Sequence, residues 1–307
     1  MTLILTINGP KTIWLLADRR LSFKNRPIKE DARKVMFLET PDSIAILGYA
    51  GLGATALGSE PSDWMSSVLR GRNLSLEQSL YELSAAIKRQ LPRHLIRMPS
   101  NSLAAHNVMV TAFVNNEARF YSIDLAFAPD RKSYQFRYMR WKATNPDKTT
   151  SGPPRIGLAG TGGLFFYKNK KWMRSLLDLV KAHNNNQVSE QVIADRLADI
   201  NYQVHLQIGD NSVGPNCIVA WHQLRDSSQQ GGGSHLCYTG VVRDQNVPSL
   251  PKIANGMDVQ ALIDILMPPL EDIIEARETG RFPFELDKDK INEKLSRLPD
   301  EPDENLR

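Results

Sequence analysis

The sequence predicts an α+β protein: a four-layer αββα sandwich of two antiparallel sheets flanked by helix pairs, with a C-terminal helical extension. Three observations predict it. Short β-branched runs alternate with turn residues over the first fifty positions. Helical periodicity takes over near 60–90 and again near 164–206. Strand-like runs return after each helical stretch. An order of strands, helix pair, strands, helix pair, strands buries two sheets in one domain if each carries its own helices.

The elements follow in order. Residues 3–7 and 12–17 are apolar runs around Asn8-Gly9-Pro10-Lys11, a hairpin that begins at the second residue. Residues 35–38 and 43–48 make a second strand pair around Thr40-Pro41-Asp42. Segment 60–70 carries Trp64, Met65, Val68 and Leu69 on one side. Segment 76–90 opens with Ser75 and Gln78 at capping-box spacing. Strands are predicted at 108–113, 118–124, 135–141 and 156–159, with a polar loop over 143–155. Helices follow at 164–182 and 190–206, the second with Ser189 as N-cap. Strands at 216–222 and 235–241 are joined by Gly231-Gly232-Gly233-Ser234, read as a flexible hairpin loop. The domain is expected over 2–246. Residues 247–284 read as a helical extension interrupted by Pro268-Pro269, and 285–307 as a charged, disordered tail.

Composition removes several classes of function. Net charge is +4 over 307 residues and no dense basic run exists, so a nucleic-acid partner is not indicated. The two cysteines, Cys217 and Cys237, and six scattered histidines lack the paired spacing of a metal site, and low cysteine use fits a reducing compartment. The start, MTLILTING, lacks a basic region ahead of an apolar core. No apolar run approaches the ~20 residues of a membrane helix. The expectation is a cytoplasmic protein with no metal or organic cofactor and no membrane partner.

Chemistry points to the chain start. Met1 is readily trimmed before a small residue, which would leave Thr2 with both a hydroxyl and a free α-amine. An α-amine titrates at about 8, so it can take the proton from its own residue's hydroxyl. Asp18 ends the second strand in Leu15-Leu16-Ala17-Asp18-Arg19-Arg20, and the hairpin returns that end to Thr2. Lys34 opens the next strand. Held by Asp18, it would place positive charge beside the hydroxyl and favour loss of its proton. Gly48, in Ile46-Leu47-Gly48-Tyr49, would let a substrate carbonyl reach a backbone N–H that stabilises an oxyanion.

Thr2, Ala17-Asp18-Arg19-Arg20, Lys34 and Gly48 together resemble the proteasome β-subunit family of N-terminal nucleophile hydrolases and its bacterial relatives, over about residues 2–242. The resemblance implies a threonine-type peptidase working through an acyl-enzyme on Thr2. It implies a homo-oligomeric ring, with an ATPase partner left open, and peptide or unfolded-protein substrates. It adds Arg20 as a supporting residue. It likens Gly160-Thr161-Gly162 to a turn before the third helix, with Thr161 supplying a hydroxyl. Asp210 matches a family aspartate. Val213 stands where the family has serine, and the adjacent Ser212 is the expected substitute. The resemblance also implies an apolar specificity pocket of Leu21, Ala32, Met36, Ile46, Ala50 and Ala54, hence cleavage after apolar side chains. Three other readings stand beside it: a catalytically silent scaffold of the same fold, an amidase acting on a small amide, and a binding module without chemistry that uses the charged C-terminal tail.

Overall fold

A computed structural model describes residues 2–23, 26–50, 60–95, 107–127, 134–141, 155–209, 211–224, 231–238, 242–244, 251–280 and 287–296. The N-terminal hairpin forms as its turn residues require. β1 (Ile4–Asn8) pairs antiparallel with β2 (Thr12–Asp18), Ile4 opposite Ala17. Its flanks are β10 (Arg155–Ala159) on the β1 side and β11 (Cys217–Gln223) on the β2 side. β12 (Gly231–Tyr238) and β13 (Val242–Asp244) complete a six-stranded sheet. The first strands of the chain are thus central, and both are buried along their full length.

The second sheet has seven strands. β5 (Val35–Thr40), β6 (Ser43–Ala50), β7 (Asn107–Val114), β8 (Glu117–Phe127) and β9 (Tyr134–Trp141) form an antiparallel meander. β14 (Ile253–Ala254) joins the free edge of β5 in parallel and pairs with β15 (Met257–Asp258). A short ribbon of β3 (Leu21–Phe23) and β4 (Arg26–Lys29) lies between β2 and β5 in sequence.

Three cores fix the layers. Ile4, Ile13, Leu15, Phe37, Ile46 and Phe113 pack between the sheets. Leu38, Leu47, Val108, Val110 and Tyr121 pack outward against α1 (Pro61–Leu69) and α2 (Leu76–Leu95). Leu3, Leu5, Trp14, Leu16 and Val219 pack outward against α3 (Gly160–Lys168), α4 (Lys170–Asn184) and α5 (Glu190–Ile208). The result is a mixed α+β sandwich, two sheets face to face with helices outside each.

Several local expectations change. The helix expected at 164–182 is two helices, because Asn169 ends α3 and its side chain accepts from Trp172 N, starting α4 afresh. α3 itself starts at Gly160, so Gly160-Thr161-Gly162 is the first turn of the helix, not a turn ahead of it. Ser189 occupies the N-cap position of α5 without a side-chain cap bond. Gly231–Ser234 are strand residues opposite Gln223, His222, Trp221 and Ala220, and the ladder supplies the order the composition argued against. The segment read as helical from 247 opens with β14 and β15, and α6 (Val259–Glu278) runs through Pro268 and Pro269 without ending. Within the tail read as disordered, Lys288–Ser296 form α7.

Candidate active site

The hairpin register that sets Ile4 against Ala17 brings the end of β2 back to the chain start. Asp18 N–H donates to Leu3 O at 3.0 Å, and Leu3 N–H donates to Asp18 Oδ1 at 2.8 Å. This double link holds the carboxylate beside Thr2, whose hydroxyl donates to the same Oδ1. Asp18 Oδ2 faces the other way and accepts from Arg20 N at 3.1 Å and Gly214 N at 3.2 Å.

Lys34 enters from just ahead of β5. Its Nζ donates to Thr2 Oγ1, to Asp18 Oδ1 at 3.0 Å and to Arg20 O at 2.6 Å. All three ammonium protons are thereby used. Thr2 is 2% exposed, Asp18 0% and Lys34 1%, so the cluster sits away from water. Burial pulls the Lys34 ammonium below its usual range, and the charge of Asp18 opposes that pull. A cation held at a threonine hydroxyl stabilises the alkoxide, which is the chemical capacity of this arrangement.

Arg20 holds the floor of the cluster in place. Its Nε pairs with Glu30 at 2.8 Å, and its Nη1 donates to Asn211 O at 2.9 Å and Val213 O at 3.2 Å. Val213 is fully buried in the helix-side core, where a serine hydroxyl would have no apolar fit. Ser212 is also buried, and its Oγ lies 3.1 Å from Thr161 Oγ1. The two hydroxyls expected to support the site therefore meet each other. Asp210 lies outside the described residues.

Gly48 lies within β6, opposite Val35 and Met109. A Cβ there would come 3.0 Å from Leu15 Cδ2 and 3.4 Å from Ile4 Cδ1, so the glycine also permits close approach of the two sheets. The apolar set divides. Leu21, Ala32, Met36, Ile46 and Ala50 are all buried, but Met36 packs toward α1 and α2 while Ile46 and Ala50 face the inter-sheet core. They do not share one surface, and Ala54 lies outside the described residues.

Two features escaped the sequence reading. Gly160, at φ +77°, is where the chain crosses Thr2: a Cβ would lie 2.0 Å from Thr2 O. Gly162 N–H donates to that same carbonyl at 3.2 Å. The first turn of α3 is thus seated on the Thr2 peptide. The second feature is a polar group at the same end of the second sheet. Asn107 Nδ2 and Ser122 Oγ both donate to Asp124, the latter at 2.6 Å, and burial raises the Asp124 carboxyl while the Ser122 bond opposes the shift.

Fold and site together define an α+β sandwich carrying a buried Thr–Lys–Asp cluster at the start of its central strand. Among the described residues, no helix is long and apolar enough to cross a membrane, and no group of three His, Cys, Asp or Glu side chains could hold a metal ion. Similar solved structures include Anbu (ancestral beta-subunit) from Yersinia bercovieri, at 15% identity and TM-score 0.42, covering 75% of this chain and 86% of that one. Another is the Anbu (Gly-1) mutant from Hyphomicrobium sp. strain MC1, at 14% identity and TM-score 0.45, covering 75% and 85%. No family model matches the chain, and no curated protein does. The resemblance to bacterial-type proteasome β-subunits is corrected accordingly: the neighbours are Anbu proteins, and likeness at this level assigns the chain no family, activity or partner.

Proposed function

We propose that the chain is an N-terminal threonine hydrolase that cleaves peptide bonds once Met1 has been removed. One observation carries this reading: the Lys34 ammonium, pinned by Asp18 and Arg20 O, donates to Thr2 Oγ1. Oγ1 attacks the scissile carbonyl carbon, and its proton passes to the Thr2 α-amine. Collapse of the tetrahedral intermediate breaks the C–N bond, the leaving amine takes the proton, and an ester remains on Thr2. Water, deprotonated by the α-amine, then attacks the ester and restores the hydroxyl. Lys34 supports both attacks by its charge, and Arg20, Thr161 and Ser212 support the geometry around Thr2.

A second reading is a catalytically silent scaffold, favoured by the 2% exposure of Thr2. The two separate cleanly. Intact mass shows whether Met1 is removed, and turnover of a fluorogenic peptide panel is compared between wild type, Thr2→Ala and Lys34→Ala. Turnover lost in both variants supports the hydrolase. Turnover by Thr2→Ala equal to wild type, or a retained Met1, sinks it.

A further inference from the structure

Two surface patches of opposite charge lie on different layers of the molecule. The first is on α3 and α4. Leu164 and Tyr167 are 68% and 57% exposed, surrounded by exposed Lys168, Lys170, Lys171 and Arg174. Lys170 Nζ stands 4.3 Å from the centroid of the Tyr167 ring. No acidic residue occurs between positions 160 and 174.

The second patch is on α6. Met267, Leu270 and Ile274 are 44%, 49% and 57% exposed, at spacings that place them on one stripe. Exposed Glu271, Asp272, Glu275 and Glu278 flank the stripe, and Arg277 is the single basic residue of the helix. Among the described residues, none of these four carboxylates and none of the four cations opposite makes an ion pair. Among the described residues, helix α6 packs on β14 and α7, and the stripe stays about half exposed.

The patches match in kind: an apolar centre within a cationic rim, and an apolar centre within an anionic rim. They cannot meet within one chain. α3 and α4 cover the outer face of the first sheet, whereas α6 hangs from β14 at the edge of the second. We infer that the α3–α4 patch of one copy docks on the α6 patch of a second copy. The apolar stripe supplies buried area, and the opposed charges supply register and encounter rate. Because the two surfaces differ, the contact is head-to-tail and propagates until it closes into a ring or continues as a filament. This inference is independent of the threonine chemistry.

The test uses the full chain, with size-exclusion chromatography and light scattering across concentration at low and high salt. Wild type is expected to self-associate, more weakly in high salt. Lys168→Glu, Lys170→Glu, Lys171→Glu and Arg174→Glu together make both patches acidic. Glu271→Lys, Asp272→Lys, Glu275→Lys and Glu278→Lys together make both basic. Each variant alone should associate about tenfold more weakly or worse, since like charges then face each other. An equimolar mixture should recover assembly, because each acidic patch then finds a basic one. Circular dichroism melts confirm that both variants fold. A monomeric wild type at every concentration overturns the inference. So do folded single variants that assemble like wild type, or a folded mixture that stays monomeric.

Discussion

Lys34 Nζ lies 3.0 Å from Asp18 Oδ1, and both side chains are buried. Taking a lysine and an aspartate out of water is costly, and the cost is offset only while both remain. Lys34→Ala should therefore destabilise the fold by about 3–5 kcal/mol, read as a lower urea midpoint. Adding Asp18→Ala should recover part of the loss. A single-variant cost below about 1 kcal/mol would place the pair in solvent and contradict the geometry.

Gly160→Ala tests the seat of α3 on Thr2. The position has φ +77°, and the new methyl would meet Thr2 O at 2.0 Å. Strain of this kind costs about 1–3 kcal/mol. If Thr2 is the nucleophile, kcat should fall much more than KM rises, since the displaced group is the reacting residue. An unchanged kcat in a folded Gly160→Ala protein would separate this turn from the chemistry.

Acid stability should carry a signature from His222, which lies edge-on to Phe37 at 5.0 Å. Burial lowers its pKa from 6.5 to about 4. Between those values the unfolded chain binds more protons, so this contribution to stability is whole above pH 6.5 and is lost as pH falls toward 4. The loss at the acid end is on the order of 3–4 kcal/mol at most. Urea midpoints measured at several pH values should show the slope in wild type and a shallower one in His222→Gln.

Ile253 is 1% exposed and belongs to the core beneath α1 and α2. Ile253→Ala should cost about 2–5 kcal/mol by opening a cavity there. Thermal denaturation would register it. A negligible shift would show that β14 is not packed as described.

The hairpin, the capping box and the outward-facing cores were legible because local chemistry dictates them. Ser75 N–H donates to the Gln78 side chain at 3.2 Å, and Gln78 N–H donates back to Ser75 Oγ at 3.4 Å. Thr2, Asp18 and Lys34 were legible for the same reason: one hairpin and one strand entry fix their approach. Gly160 was not, because its constraint comes from Thr2, far away in sequence. Nor was β14, although Asn255-Gly256 was a visible turn signal. Both residues have positive φ, as a two-residue hairpin turn needs. Two-residue strands are too short for periodicity to register, and the parallel pairing with β5 is set by the sheet. The six apolar pocket positions were read as one lining because alternation was not applied: Met36 and Phe37 are neighbours and so point to opposite faces.

The parallel pairing of β14 with β5 has a bearing on how the chain is made. Ile253 sits opposite Leu38, so a strand near the beginning waits for a partner more than two hundred residues downstream. Until the ribosome releases that partner, the margin of β5 offers unpaired amide groups to any other nascent chain. Synthesis halted before position 253 would leave a nearly finished sandwich with an adhesive rim, and slow translation of the last third would lengthen that exposure.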